Sequence, residues 1–422
     1  MKISPARTAA FDVLLRIEND RAFSSVLLPA FEEALSQADR ALCHELVLGT
    51  LRRQIYLDRV INTVSGGKRL DTAVRIVVRL GLYQLLYLDR IPDHSAVNES
   101  VNLIQRAKKT SAKGFVNAIL RRAARELPAL SYADDLERLS VETSHPRWLL
   151  EKWIGEFGWE EAALIAEANN QVPAQAFRSI DGSPISVGSS IPSKFVDGCF
   201  LLSRDSDAAQ IIGSDDLYFQ DEGSQMVAAS VRVPAGGRFL DVCASPGGKT
   251  GFIASHTPAG SVFAGDLYWP RVEMLRYNCR RQRVDVQMIQ YDAEKGLPFA
   301  VSSFESVFVD APCSGTGTIR HNPEIRYFLQ PTDFPILANK QRTILKNASK
   351  LVTHGGSLVY STCSLESEEN EQICGQFLDE SGEFELVRPN IDQRFITPDR
   401  FGRTFPHRDG MDGFFIAEFR RR

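Results

Sequence analysis

Along the first 140 residues, apolar side chains recur at three- and four-residue spacing, the period of helices with one buried face. Phe11, Leu14 and Leu15 begin the pattern and the stretch Val74–Leu88 continues it. Within that stretch, Val74-Arg75-Ile76-Val77-Val78-Arg79-Leu80 is apolar on nearly every side, which predicts a helix at the centre of the core. Val97, Val101 and Ile104 make a further stripe at i, i+4 and i+7. Asp93 or Ser95 is placed to cap that helix, with Asn98 and Glu99 in its first turns. The texture changes near Thr143-Ser144-His145-Pro146, where Pro146 is expected to open a helix carrying Trp148, Leu149, Trp153, Ile154 and Phe157. Residues 181–200 are rich in Gly, Ser and Pro and predict short strands joined by turns.

From about residue 236, short apolar runs alternate with helix-like segments. The runs are Arg238–Cys243, Ser261–Asp266, Val286–Gln290, Ser306–Asp310 and Ser357–Ser361. That alternation predicts βαβ units and a doubly wound parallel sheet. Ligands in such sheets lie at the carboxyl ends of the strands. The expected organisation is therefore multidomain: an all-α domain over 1–140, a small α+β connecting module over 141–215, and a Rossmann-like α/β domain over 216–422.

Composition refines this picture only slightly. A chain of 422 residues, 43% apolar and 24% charged, can bury a core in each of two or three domains and is not largely disordered. No run approaches the roughly 18 apolar residues of a membrane helix. The N-terminal residues show no signal-peptide pattern, so a cytoplasmic protein with reduced thiols is expected, with no membrane partner. The seven cysteines form no CxxC pair, so zinc-ribbon spacing is absent and no metal is expected. Nothing in the sequence demands more than a monomer.

A net charge of −4 argues against a uniformly basic coat, but the charge is uneven. Residues 1–140 carry 21 Lys+Arg against 16 Asp+Glu, whereas the remainder carries 28 against 37. Arg106, Lys108, Lys109, Lys113, Arg121, Arg122 and Arg125 cluster between the apolar stripes and are candidates for contact with a phosphate backbone. A solvated helical surface explains the same charges equally well.

The first apolar run continues as Leu240-Asp241-Val242-Cys243-Ala244-Ser245-Pro246-Gly247-Gly248-Lys249-Thr250, a strand, a glycine turn and a helix start. Such a turn lets backbone approach a ligand and offers free N–H donors. A phosphate-binding P-loop requires Gly where Cys243 stands, and the dinucleotide GxGxxG is absent. A nucleoside site for S-adenosylmethionine remains. Asp266 ends the second run, where an acid can accept both ribose hydroxyls, and Asp292 after the third can face an adenine amino group. Each acid alone is equally well a strand-end cap; three acids (with Asp241) after three successive strands favour the ligand reading.

The fourth and fifth runs end in Asp310-Ala311-Pro312-Cys313-Ser314-Gly315-Thr316-Gly317 and Tyr360-Ser361-Thr362-Cys363-Ser364. Each places a cysteine just past a strand, among small polar residues rather than in an apolar run. Buried structural thiols and a disulfide are the competing readings. A reactive thiolate beside a ligand suits these loop positions better. Thiol chemistry has a use at a methyl-transfer site. Carbon 5 of a pyrimidine is a poor nucleophile until a thiolate adds at carbon 6 and turns the ring into an enamine. Exocyclic amino methylation needs no such step.

Leu240–Thr250, Asp310–Gly317 and Tyr360–Ser364 resemble the motifs of the RNA 5-methylcytosine methyltransferases with two cysteines, of the bacterial Sun/Fmu/RsmB type. The likeness extends over most of the chain. Ala96–Glu99 and Gly114–Arg122 are similar to that family's NusB-like helical RNA-binding domain, Phe219–Gln225 to the segment leading into its catalytic domain, and Asp409–Phe415 to its C-terminal strand motif. The resemblance implies an S-adenosylmethionine-dependent enzyme acting on cytosine in RNA, with small-subunit ribosomal RNA as target. It implies Cys363 as the nucleophile, Cys313 as an aid to product release, and Asp310 between cofactor and base. Residues Cys243, Ala244, Ser245, Pro246, Gly247, Gly248 and Lys249 would wrap the cofactor's methionine end, Asp266 the ribose and Asp292 the adenine.

The chain departs from the family at Phe177-Arg178-Ser179-Ile180, where an Arg-x-Asn element is usual and the Asn is missing. Lys249 either neutralises a carboxylate or faces solvent. Arg320, His321 and Arg326 either clamp RNA phosphate or decorate the surface. Two other functions are compatible with parts of the sequence: the same chemistry on transfer RNA, and a non-catalytic RNA-binding factor built on the helical head.

Overall fold

The computed structural model describes residues 3–182, 190–202, 214–257 and 260–422. The chain forms two compact units, Met1–Gln171 with Ile319–Leu329, and Val172–Thr318 with Gln330–Arg422. Residues 141–171, at the start of the expected connecting module, thus belong to the first unit, and the chain from 172 on to the second. Residues 183–189 of the Gly/Ser/Pro-rich stretch lie outside the described residues.

The first unit is helical: α1 (Pro5–Asp20), α2 (Ser24–Glu32), α3 (Gln37–Arg52), α4 (Gln54–Ser65), α5 (Thr72–Tyr87), α6 (Asp93–Arg106), α7 (Lys113–Arg125), α8 (Asp135–Thr143), α9 (Arg147–Phe157) and α10 (Trp159–Ala168). Helix α5 is the central one, as its all-round apolar pattern predicts, with Ile76, Val77, Val78, Leu80 and Leu82 buried. Arg79 interrupts that pattern and is buried too. It is accommodated because Asp58 receives it bidentately at 2.7 and 2.6 Å and Glu18 takes a third hydrogen bond. One expected cap differs: Pro92 occupies the N-cap of α6, so neither Asp93 nor Ser95 caps it, whereas Pro146 opens α9 from its N-cap as expected. The fixed φ of proline sets the direction in which the chain enters each helix, without a side-chain acceptor.

The segment Ile319–Leu329 follows the Cys313 loop in sequence but packs within the helical unit. Ser24 N and Oγ donate to Glu324 Oε1 at 2.6 and 2.8 Å, and Tyr327 OH donates to Leu51 O at 2.7 Å. Arg326 is fully buried. Its guanidinium donates to the carbonyls of Thr143 (3.1 Å), Ser144 (3.3 Å) and Asn169 (3.2 Å) and to Asn170 Oδ1 (3.0 Å). Burial pushes its pKa down to about 10. Arg326 therefore neither clamps phosphate nor decorates the surface. It bridges backbone acceptors at the ends of α8 and α10, sharing Thr143 O with Asn170 Nδ2 and Ser144 O with Tyr327 OH. Arg320 is likewise buried, its carbonyl accepting from Arg52 at 3.1 Å.

In the second unit, β1 (Ala176–Ser179), β2 (Ser190–Pro192), β3 (Cys199–Leu202) and β4 (Leu217–Phe219) form an antiparallel sheet in the order β2-β3-β1-β4. The larger sheet has the order β10-β12-β9-β8-β5-β6-β7, with β11 pairing β12. Its strands are β5 (Arg238–Asp241), β6 (Ser261–Asp266), β7 (Gln287–Gln290), β8 (Phe304–Asp310), β9 (Val352–Thr362), β10 (Phe384–Val387), β11 (Gly402–Arg403) and β12 (Phe415–Arg421). The pairs among β5 to β9 are parallel, and those made by β10, β11 and β12 are antiparallel. The five predicted strands are these five parallel ones, β9 running longer than its apolar run. Chain order reverses between β5 and β8, which makes a crevice at their carboxyl ends. No helix among the described residues is long and apolar enough to cross a membrane.

Replacing Arg326 with alanine should remove four hydrogen bonds and empty a fully buried site, at a cost of about 3 kcal/mol of stability. Thermal unfolding of the purified variant measures this; a melting temperature equal to wild type would contradict the role.

Candidate active site

The crevice between β5 and β8 opens into a cavity of about 310 Å³. It gathers Cys243 and Ser245 from the glycine turn, Asp266 from the end of β6, Asp292 from beyond β7, and Asp310, Cys313 and Cys363 from the ends of β8 and β9. Ala244, Pro246, Gly247, Gly248 and Lys249 shape this wall without lining it. Gly247 takes φ +103°, a conformation that other residues rarely adopt, and the helix Gly248–Ser255 starts directly after it.

The cavity is lined by four carboxylates, Asp266, Asp292, Glu294 and Asp310, against two cations, Arg271 and Lys340. Asp266 is held from three sides: Ser245 N donates at 3.2 Å, Leu267 N at 2.8 Å and Arg271 Nε at 2.9 Å. Arg271 also donates to Ser245 O at 2.9 Å, so the cation ties the acid to the glycine turn. Asp292 accepts from Glu294 N at 3.1 Å. Lys249 Nζ meets Asp310 Oδ2 at 2.6 Å, and Ser361 Oγ donates to Asp310 Oδ1 at 2.7 Å. Of the two fates open to Lys249, it neutralises a carboxylate. Burial opposes its charge, but Asp310 outweighs burial and raises its pKa.

Asp241 takes a different place from Asp266 and Asp292. Its carboxyl is buried behind the glycine turn, accepts from Thr250 Oγ1 at 2.7 Å, and does not line the cavity. Burial pushes its pKa up to about 7. It clips the strand to the helix that follows the turn.

The two cysteine sulfurs lie 3.4 Å apart. Both thiols are free and partly exposed. The Cys313 thiol is pushed well up in pKa, first by its hydrogen bond with Cys363, then by burial and by the charge of Glu369. Cys243, the third thiol of the cavity, is also pushed well up, by burial and by the carboxylates around it. The Cys313 loop is held closely: Gly317 N donates to Cys363 O and Gly413 N to Gly317 O, both at 2.9 Å. A Cβ on Gly317 would come within 2.0 Å of Gly413 O.

Reasoning from sequence alone passed over Glu369, whose carboxylate is fully buried. Its Oε1 accepts from Ser314 N and Gln341 Nε2, each at 2.9 Å, and its Oε2 from Ser314 Oγ and Ser364 Oγ, each at 2.5 Å. It also passed over Tyr268, Arg271, Tyr291 and Lys340. The signal for Arg271 was available: a basic residue one helical turn beyond a strand-end acid.

Elsewhere, Arg178 is buried against the rings of Tyr218 and Phe252, each 5.2 Å away, and donates to the Gln282 amide. In the basic cluster of the helical unit, Arg106 pairs with Asp12 and Lys109 with Asp71, each at 2.7 Å. Arg121, Arg122 and Arg125 are exposed on α7, where Arg121 and Arg125 make short-range bonds along the helix.

Comparison with known proteins agrees with this layout. Residues 231–420 match the family described as 16S rRNA methyltransferase RsmB/F, and residues 4–125 match the NusB family. A Bacillus subtilis (strain 168) protein named probable ribosomal RNA small subunit methyltransferase B is 32% identical over the whole of both chains. The crystal structure of PH0851 superposes with a TM-score of 0.83 at 22% identity and covers 99% of each chain. That of NSun6 from Pyrococcus horikoshii with SFG has a TM-score of 0.54 at 21% identity, covering 65% of this chain and 98% of that one. At these identities the two structures speak for the fold.

Two outcomes follow from the geometry. Gly317→Ala should displace the Cys313 loop, and trypsin digestion of the native protein should cut more readily near Arg320 than in wild type. Asp241 binds its proton more tightly when folded than unfolded, so its contribution to stability is present below about pH 4 and is lost as pH rises toward about 7. Asp241→Asn, which removes this titration, should raise the melting temperature more at pH 8 than at pH 5.

Proposed function

The chain belongs to the 16S rRNA methyltransferase RsmB/F family, and on that premise we propose that it methylates carbon 5 of a cytosine in small-subunit ribosomal RNA, through a covalent adduct between Cys363 and carbon 6. The observation that carries the reading is the 3.4 Å approach of two free thiols at the edge of the cavity. Exocyclic amino methylation would have no use for such a pair.

The cavity fits S-adenosylmethionine by its chemistry. Its excess of carboxylates suits a cationic sulfonium and opposes a polyphosphate, which would want the reverse. Its size is at the lower end of small-molecule sites. Asp266 would hold the ribose, kept in place by Arg271; Asp292 would face the adenine edge; and the turn from Cys243 to Lys249 would hold the methionine end. S-adenosylmethionine supplies an electrophilic methyl group when bound.

The chain's own residues carry the rest. The Cys363 sulfur adds to carbon 6 and forms a C–S bond, and the displaced ring electrons make carbon 5 nucleophilic. Carbon 5 takes the methyl, a base removes the carbon-5 proton, and the C–S bond breaks with its electron pair returning to sulfur. Cys313, in contact with the Cys363 sulfur, aids that release. Lys249 fixes Asp310 between the methyl donor and the base, where its carboxylate can accept from the cytosine amino group. The target must be single-stranded or flipped to reach Cys363. The helical unit, with its exposed arginines on α7, is the RNA-holding part.

Cys363→Ala should reduce methyl transfer to background while RNA binding persists in a filter assay. Cys313→Ala should accumulate a protein–RNA adduct that survives denaturing electrophoresis. Full turnover by Cys363→Ala would overturn the mechanism. Bisulfite sequencing of ribosomal and transfer RNA from a deletion strain separates the two possible targets. A heat of binding on titration with S-adenosylmethionine excludes a purely RNA-binding factor.

A further inference from the structure

Two cysteines in contact must play different parts, yet their motifs are nearly alike: Pro-Cys-Ser-Gly in one and Thr-Cys-Ser-Leu in the other. In each, the residue after the cysteine is a serine, and both serine hydroxyls converge on Glu369 Oε2. Ser314 also donates its backbone N–H to Oε1, and Gln341 completes that oxygen. The Gln341 amide donates in addition to Pro312 O at 2.9 Å, the residue before Cys313. The carboxylate thus has four donors and, among the described residues, no cation among its hydrogen-bonding partners.

We propose that Glu369 is a positioning residue for the two-thiol chemistry: its carboxylate clamps the Cys313 and Cys363 loops together, and its charge determines which sulfur keeps a proton. This rests on the thiol mechanism proposed above. The groups that face Cys313 are Cys363 from the β9 loop, Glu369 from the turn after it, Tyr360 from β9, and Asp310 with its partner Lys249. Glu369 is tied to the Cys313 loop by three hydrogen bonds, two from Ser314 and one relayed through Gln341 to Pro312, and to the Cys363 loop by one. The charge of Glu369 adds to the Cys363 hydrogen bond and to burial, which come first, in raising the pKa of the Cys313 thiol. In the proposed arrangement Cys313 keeps the proton of the 3.4 Å contact with the Cys363 sulfur. Glu369 touches neither cysteine sulfur by a hydrogen bond and acts through Ser314, Ser364 and Gln341.

The first test uses the whole chain without RNA or cofactor, so that it stands apart from the cytosine reading. Iodoacetamide alkylation of Cys313 and Cys363 is followed site by site by mass spectrometry from pH 6 to pH 10. In Glu369→Gln, which keeps the shape and removes the charge, Cys313 should be alkylated about tenfold faster than in wild type at pH 8. In Glu369→Asp, which keeps the charge on a shorter arm, the Cys313 profile should return toward wild type. Both variants should lower kcat for methyl transfer by about tenfold or more with KM for RNA unchanged. A Cys313 profile in Glu369→Gln identical to wild type overturns the charge role, and unchanged kcat in both variants overturns the clamp. Should Glu369→Gln fail to fold, Ser364→Ala removes a single donor and leaves the charge. It should lower kcat with KM unchanged, and an unaltered kcat overturns the proposal. Loss of the alkylation effect with RNA methylation intact refutes the role of Glu369 alone; absence of RNA methylation with the alkylation effect intact refutes only the substrate.

Discussion

The site depends on the parallel pairing of β8 with β9. In that register Asp310 lies opposite Ser361, so both strands end at the same level and hand their chains to the same edge of the sheet. Ala311 N extends the ladder by donating to Ser361 O at 2.8 Å, and Gly317 N reaches Cys363 O beyond it. Each cysteine therefore sits two or three residues past the last paired position, on loops that cannot drift apart. A slip of one residue would exchange the faces of every side chain on β9, and Ser361 would no longer meet Asp310. The strands are buried on both faces, which makes such a slip costly: Val307, Phe308 and Val309 on β8 and Leu358, Val359 and Tyr360 on β9 are all sealed in the core.

Upon this scaffold the chain concentrates charges that would be expensive if left alone. Asp266 is answered by Arg271 and two backbone amides, Asp310 by Lys249 and a hydroxyl, and Glu369 by four neutral or amide donors. Each arrangement fixes an acid in one orientation, which is what a site needs more than it needs net stabilisation. The helical unit treats buried arginines similarly but to a different end. Arg79 meets two acids and Arg326 a ring of carbonyls, and both hold helices together rather than face a ligand.

Much of this was legible beforehand, and the reasons are physical. Four of the five parallel strands announce themselves because strands buried on both faces are continuous apolar runs, the half-exposed edge strand β7 from its place in the alternation, and the helical unit because its period is regular over many turns. The glycine turn and the acids Asp266 and Asp292 could be singled out because ligands of such sheets lie at the carboxyl ends of the strands, where Cys243, Ser245, Asp266 and Asp292 line the cavity. β10 was less visible because it is four residues long and buried only at Phe384, and β12 because Glu418, Arg420 and Arg421 interrupt its apolar run. Arg326 was misjudged because a lone arginine in a polar segment carries no mark of burial; only the carbonyls at the ends of α8 and α10, far away in sequence, explain it. Glu369 was hidden in the acidic stretch Glu366–Glu371, where composition predicts solvent and the structure places a buried acceptor.

The position of Glu369 in the chain also bears on how the two loops come together. Its bond to Ser364 spans five residues, whereas its bonds to Ser314 span 55. The short loop closes at little entropic cost, so the turn after β9 can hold its carboxylate in place before the Cys313 loop arrives. Once β8 has paired with β9, the long loop has already been closed by the sheet, and the Ser314 bonds add register without a further large loss of freedom. Cys363, the proposed nucleophile, therefore lies on the same local turn as Glu369, and Cys313 joins it from the more distant loop. That order places precision where the proposed bond to the base would form, in the segment closed by the shorter loop.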